Sequence, residues 1–154
     1  GWVAAEFVTL LGVHLADLPV VEVPATPAST PIVPTITPTP GITPVISQWR
    51  GEYYPNTSLS GDPVLVRNDA VIQFDWGTGS PGAGIPGDYF SARWTRQQYC
   101  DAGTYRFTVR VDDGVRLWVD GNLIIDRWLA GSTTYSGEIT LAGGPHSLRL
   151  EYLD

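Results

Sequence analysis

The sequence predicts an all-β protein: an antiparallel β-sandwich, entered through an extended proline-rich N-terminal linker. Three observations carry that expectation. From Gln48 onward, apolar and polar residues alternate with a period of two over short runs, the pattern of strands that bury one face. Clusters of Gly, Asn, Asp and Pro separate the runs, and these residues are turn formers. No window carries a helical stripe, so two sheets packed face to face are the architecture that buries the apolar faces.

In chain order, Gly1 to Leu10 (GWVAAEFVTL) reads as a short strand with a bend, too short to bury a face by itself. Its Gly-Trp-Val start and alternating tail resemble the closing strand of bacterial Src-homology-three-like domains. Residues 1–23 are therefore expected to be the remnant of a preceding small β domain. Trp2 to Val21 is the most apolar stretch, but Glu6, His14 and Asp17 interrupt it, and no membrane span is expected. Residues 24–47 are expected to form a linker. From Pro24 to Pro44 prolines recur every two to four residues with threonines between them, which favours polyproline II and removes backbone donors. At about 3.1 Å per residue such a spacer reaches on the order of 60 Å. Its threonines are candidate carriers of O-linked sugars on an exported protein. The chain opens at Gly1, contains no methionine and shows no signal-peptide core, so it reads as a fragment of something longer.

Residues 48–154 hold the expected sandwich. Between Thr104 and Val111, Tyr105, Phe107, Val109 and Val111 share one face while Thr104, Arg106, Thr108 and Arg110 share the other. Val115 to Val119 repeats the alternation, Asp120-Gly121 is a tight-turn dipeptide, and Leu123 to Asp126 begins the returning strand. Tyr135 to Leu141 and Ser147 to Leu153 alternate likewise, joined by Gly143-Gly144-Pro145. Asp112 and Asp113 fall at the tip of a predicted hairpin.

Charge and composition exclude several function classes. The net charge is -7 and the nine basic residues are all arginines, between Arg50 and Arg149. Nucleic acid is excluded as a partner, because phosphate binding needs clustered positive charge. An acidic surface suits cations or neutral molecules. Cys100 is the single cysteine, so this chain alone builds neither a disulfide nor a thiolate metal site. It is read as a packed thiol. Gly77 to Gly84 is glycine-rich without the Gly-Lys-Ser/Thr end or the helix of a phosphate-binding loop, so it is read as a surface loop that could border the aspartates. Asn56-Thr57-Ser58 is formally a glycosylation sequon, read as a turn. His14 and His146 lie in different segments with no nucleophile constellation. Adjacent carboxylates on one turn cannot flank a glycosidic bond at separations of roughly 5 to 9 Å, so no catalysis is expected.

Asp112 and Asp113 are the leading candidate site. Two carboxylates side by side repel unless a cation or donor-rich partner neutralises them. Calcium takes six to eight oxygen ligands, and carboxylates suit it. In a regular strand neighbouring side chains point to opposite faces, so a shared ion requires a turn or a cis bond at this pair. The competing reading is that Asp112-Asp113-Gly114 is simply a turn. Asp120 and Asp126 are candidate further oxygen donors. Trp118 is the candidate stacking residue for a sugar ring, because alternation places it opposite Val115, Leu117 and Val119, whereas Trp76 and Trp94 read as core.

Five motifs in order strengthen the reading: Trp49-Arg50-Gly51-Glu52-Tyr53-Tyr54, Phe74-Asp75-Trp76-Gly77 with Gly79-Ser80-Pro81, Asp88-Tyr89-Phe90-Ser91-Ala92-Arg93-Trp94, Gly103-Thr104-Tyr105-Arg106-Phe107, and Asp112-Asp113-Gly114. Their succession resembles the PA14 domain, named after a fragment of a bacterial toxin's protective antigen. The resemblance implies a β-sandwich of exported bacterial proteins, glycosidases, toxins and fungal adhesins. In the adhesins consecutive aspartates joined by a cis peptide bind calcium, and the calcium binds sugar hydroxyls; Asp112 and Asp113 correspond by position. Family members continue past a segment like Ser147 to Tyr152 into one more strand, so the sandwich is expected to lack its last strand. The expected function is a non-catalytic, secreted or cell-surface module of bacterial origin. It would bind a glycan or cell-surface polysaccharide through calcium. The alternatives are a structural or protein-interaction domain contacting other domains of a larger exported protein, and an accessory module of a hydrolase. A trans Asp112-Asp113 bond with the carboxylates pointing apart favours the structural alternative.

Overall fold

The computed structural model describes residues 1–10 and 48–154; the expected linker over 24–47 and residues 11–23 lie outside the described residues. Ten strands follow one another: β1 Trp2–Leu10, β2 Trp49–Tyr54, β3 Leu65–Asp69, β4 Gln73–Asp75, β5 Ser91–Cys100, β6 Gly103–Asp112, β7 Gly114–Val119, β8 Asn122–Arg127, β9 Ser132–Leu141 and β10 Gly144–Leu153. They form a four-stranded sheet in the order β4-β1-β6-β9 and a six-stranded sheet in the order β3-β2-β5-β10-β7-β8. Every ladder is antiparallel. Among the described residues no helix is long and apolar enough to cross a membrane.

The alternation in β6 and β7 is realised as read. Tyr105, Phe107, Val109 and Val111 are buried on β6, and Val115, Leu117 and Val119 on β7. The hairpin between them is not. β6 pairs with β1 and β9 in the four-stranded sheet, whereas β7 pairs with β10 and β8 in the other. Asp112-Asp113-Gly114 is thus the corner where the chain crosses between sheets. A period of two says which face is buried, not which strand lies alongside; here the two apolar faces meet across the sandwich rather than edge to edge. Asp113 turns the corner with φ of +85°, and its N–H donates to Gly131 O at 3.2 Å. The Asp112-Asp113 bond is trans, so a left-handed residue supplies the bend that the family pattern assigns to a cis bond. By contrast, Asp120 and Gly121 have φ of +49° and +77°, a two-residue hairpin turn joining β7 and β8 as expected.

Strand β1 corrects a second expectation. Rather than belonging to a separate small domain, it lies between β4 and β6, pairing Val3 with Val111 and Phe74. Val3 is fully buried there.

Two polar arrangements fix the six-stranded sheet. The buried Asp69 carboxylate accepts from Tyr53 Oη at 2.7 Å, Trp94 Nε1 at 2.9 Å and Arg67 Nε at 2.7 Å. Gly51 makes room for it: a Cβ there would lie 2.4 Å from Asp69 Oδ2. On the outer face, Glu52, Arg93, Glu151, Arg116 and Asp126 are lateral neighbours across β2, β5, β10, β7 and β8, so their charges alternate in sign along one row. Glu151, only 3% exposed, accepts from Arg93 Nε at 2.9 Å and Arg116 Nη2 at 2.8 Å. Burying that carboxylate is tolerable because both oxygens meet guanidinium donors.

Candidate functional site

The corner between β6 and β7 opens onto a cavity of about 390 Å³ lined by Gly1, Asp88, Tyr89, Asp112, Asp113 and Asp154. Each wall has an identifiable support. Asp112 ends β6, paired with Ser132 of β9. Asp154 follows β10: its N–H donates to Phe90 O at 3.0 Å, and its Oδ1 accepts from the buried Tyr152 hydroxyl at 2.8 Å. Asp88 and Tyr89 come from the loop before β5. Tyr89 has φ of +60° and is 78% exposed, so a large aromatic ring is offered at the rim. The Gly1 amino nitrogen lies 2.9 Å from Asp154 Oδ1.

The electrostatics are those of crowded negative charge. Burial first, then the neighbouring Asp112 and Asp154 carboxylates, raise the Asp113 pKa above the usual carboxylate value. Tyr152 is held protonated for related reasons: burial dominates, the hydrogen bond to Asp154 adds to it, and Asp113 and Asp112 contribute further. The donor chemistry fits a hard cation such as calcium, since several carboxylate oxygens face one cavity and repel one another. No three acidic, imidazole or thiol groups among the described residues converge closely enough to hold a metal ion as they stand. Closing a coordination shell therefore requires the side chains to draw inward.

The other sequence-predicted residues lie elsewhere. Asp120 does not reach this cavity: its Oδ2 meets His146 Nδ1 at 2.5 Å, and its Oδ1 accepts from Ser147 N at 2.8 Å. Those contacts lower its pKa against the opposing effect of burial. Asp126 ends the charge row beside Arg116 on the outer face. Trp118 is on that face too, as the alternation requires, with the Arg149 guanidinium 3.9 Å and the Arg116 guanidinium 5.4 Å from its ring centroid. Trp94 is fully buried and Trp76 packs against the core. Cys100 is buried, and burial raises its thiol pKa. Asn56 forms the expected turn, its Oδ1 accepting from Ser58 N and Ser60 N at 3.1 Å.

Sequence reasoning missed Asp88, Tyr89 and Asp154 as site residues. Asp88-Tyr89 sat inside a quoted motif, but nothing local ties it to a corner 24 residues further on; only the fold brings the two together.

With the geometry in place, comparison with known proteins identifies the class. The PA14 domain family model matches residues 49–154, and the chain belongs to that family. Over 108 residues it is 46% identical to the anti-sigma-I factor RsgI3 of Acetivibrio thermocellus, covering 67% of this chain and 16% of that protein. A solved anti-sigma factor domain-containing protein from Clostridium clariflavum is 40% identical with a TM-score of 0.60, covering 68% of this chain and 36% of that one. A solved PA14 sugar-binding domain from an RTX adhesin is 26% identical with a TM-score of 0.50, covering 69% and 81%. The match thus spans a minor part of the anti-sigma relatives and most of the adhesin domain.

Proposed function

We propose that this domain is a non-catalytic extracellular module that binds carbohydrate at the acidic corner, with calcium held by Asp112 and Asp113. The observation that carries the reading is the shared cavity: both carboxylates line it together with Asp88 and Asp154, and burial first, then repulsion from Asp112 and Asp154, raises the Asp113 pKa. A cation there would relieve that repulsion and offer open positions to vicinal sugar hydroxyls. Tyr89 at the rim suits stacking against a sugar ring. The sugar-binding PA14 domain of the RTX adhesin supports the same ligand class.

A second reading has its own support. The Asp112-Asp113 bond is trans, as expected of a corner that is purely structural, and the 46% identity to an anti-sigma-I factor fits a domain contacting other parts of a regulatory protein. The two readings part on calcium. Under the first, calcium at 100 times its Kd stabilises the fold by about 2.7 kcal/mol, and the Asp112→Ala, Asp113→Ala variant loses that gain. A melting temperature unchanged in millimolar calcium and equal to that of the variant overturns it. A glycan array with and without chelator then identifies the sugar.

A further inference from the structure

Among the described strands, β1 alone lies outside the stretch matched by the PA14 family model, residues 49–154. It nevertheless holds an interior place in its sheet. β1 runs antiparallel to β6 from Val3 opposite Val111 to Leu10 opposite Tyr105, and antiparallel to β4 from Trp2 opposite Asp75 to Ala4 opposite Gln73. Two further backbone bonds extend the seam: Ala5 N–H donates to Ile72 O at 2.9 Å, and Trp76 N–H donates to Gly1 O at 3.1 Å. Among the described residues β4 has no other strand partner, so without β1 it is unpaired and β6 loses one edge. Unpaired ladder groups of that kind are a template for an incoming strand.

The side chains make this slot selective. Val3 is fully buried and Ala5 packs against the core, while Trp2, on the opposite side by alternation, has the Arg110 guanidinium 4.5 Å from its ring centroid. When a strand is added to a sheet, main-chain bonds supply the affinity and alternate side chains the specificity.

Residues 11–48 join β1 to β2, and prolines recur every two to four residues from Pro24 to Pro44. A long joining segment raises the entropic cost of closing a chain on its own slot, and its proline content favours extension over return. The same strand supplied by a second copy makes every contact described above. Exchange therefore sacrifices no interaction.

We infer that the slot between β4 and β6 accepts Gly1–Leu10 of a second copy, giving a dimer in which each chain completes the sheet of the other. Disulfide trapping in the full chain tests this, because Ala4 and Arg110 are register partners at a spacing that a disulfide can bridge. Ala4→Cys and Arg110→Cys chains are mixed in denaturant, refolded together and oxidised, and mass spectrometry locates the bonds. The expected product is a dimer linked from position 4 of one chain to position 110 of the other. Synthetic peptide GWVAAEFVTL in excess lowers its yield at least about twofold by mass action, and the same peptide with Val3→Asp does not. Sedimentation of the unaltered chain gives a second reading that needs no variant: the mass rises toward twice the monomer between micromolar and millimolar protein, and the peptide reverses the rise. Absence of a 4–110 linkage between chains overturns the inference, whether or not the double variant closes that bond within one chain. A mass that stays monomeric overturns it as well, and so does a dimer indifferent to the peptide, which another surface would be holding.

Discussion

Neutralising His146 should cost this domain about 1 kcal/mol. His146 is 8% exposed, with Nδ1 facing Asp120 Oδ2 at 2.5 Å and Nε2 facing Ala142 O at 2.9 Å. Both partners are acceptors, and only the imidazolium donates from both nitrogens. The hydrogen bond to Asp120, then the one to Ala142, raise the His146 pKa above its ordinary value, with burial opposing them. Because the folded pKa exceeds the unfolded one, the stabilisation is complete below about pH 6.5 and is lost as pH rises through the raised folded value. A charge-assisted hydrogen bond contributes about 1.5 to 3 kcal/mol. The Asp120 side chain is 41% exposed and solvent screens the pair, which brings the figure to about 1 kcal/mol, or roughly 4 °C in a domain of this size. Thermal melts followed by circular dichroism from pH 5.5 to 9 measure it. Wild type should lose that stability relative to His146→Gln across the window. Parallel pH profiles for the two proteins would refute the reasoning, since any other titrating group acts equally in both.

Two further outcomes test the fold. Glu151→Gln removes the carboxylate shared by Arg93 and Arg116, whose side chains are 30% and 29% exposed; urea denaturation should show a loss of about 2 kcal/mol, below the ~3 to 5 of a fully buried pair, and under about 0.5 kcal/mol would mean that water already serves both guanidiniums. Gly51→Ala pushes a methyl against the Asp69 carboxylate and Trp94, so a destabilisation of about 2 to 3 kcal/mol is expected, visible as a lower denaturation midpoint; a neutral change would show that Asp69 can move aside.

The sequence makes legible what is local. Alternation in Tyr105 to Val111 and Val115 to Val119 identifies the buried faces, Asp120-Gly121 marks a real hairpin, and the outward position of Trp118 follows from its neighbours. What it leaves open is pairing across distance. Asp112 and Asp113 looked like a hairpin tip because strand, turn and strand follow in sequence, yet hydrogen-bond partners are chosen by the whole sandwich. The same non-locality hid the row Glu52, Arg93, Glu151, Arg116 and Asp126, whose members come from five strands. It also hid Asp88, Tyr89 and Asp154, which join the paired aspartates only once β5 and β10 lie side by side.

The corner at Asp113 is one residue long, between the end of β6 at Asp112 and the start of β7 at Gly114. Such a seam has no slack, so any shift of β6 against β7 at this crossing is felt directly at the φ of this residue and at the hydrogen bond from its N–H to Gly131 O. Hydrogen exchange at the Asp113 amide is therefore a gauge of how often this one crossing opens. A ligand seated in the cavity that Asp112 and Asp113 line would brace that crossing between the two strands.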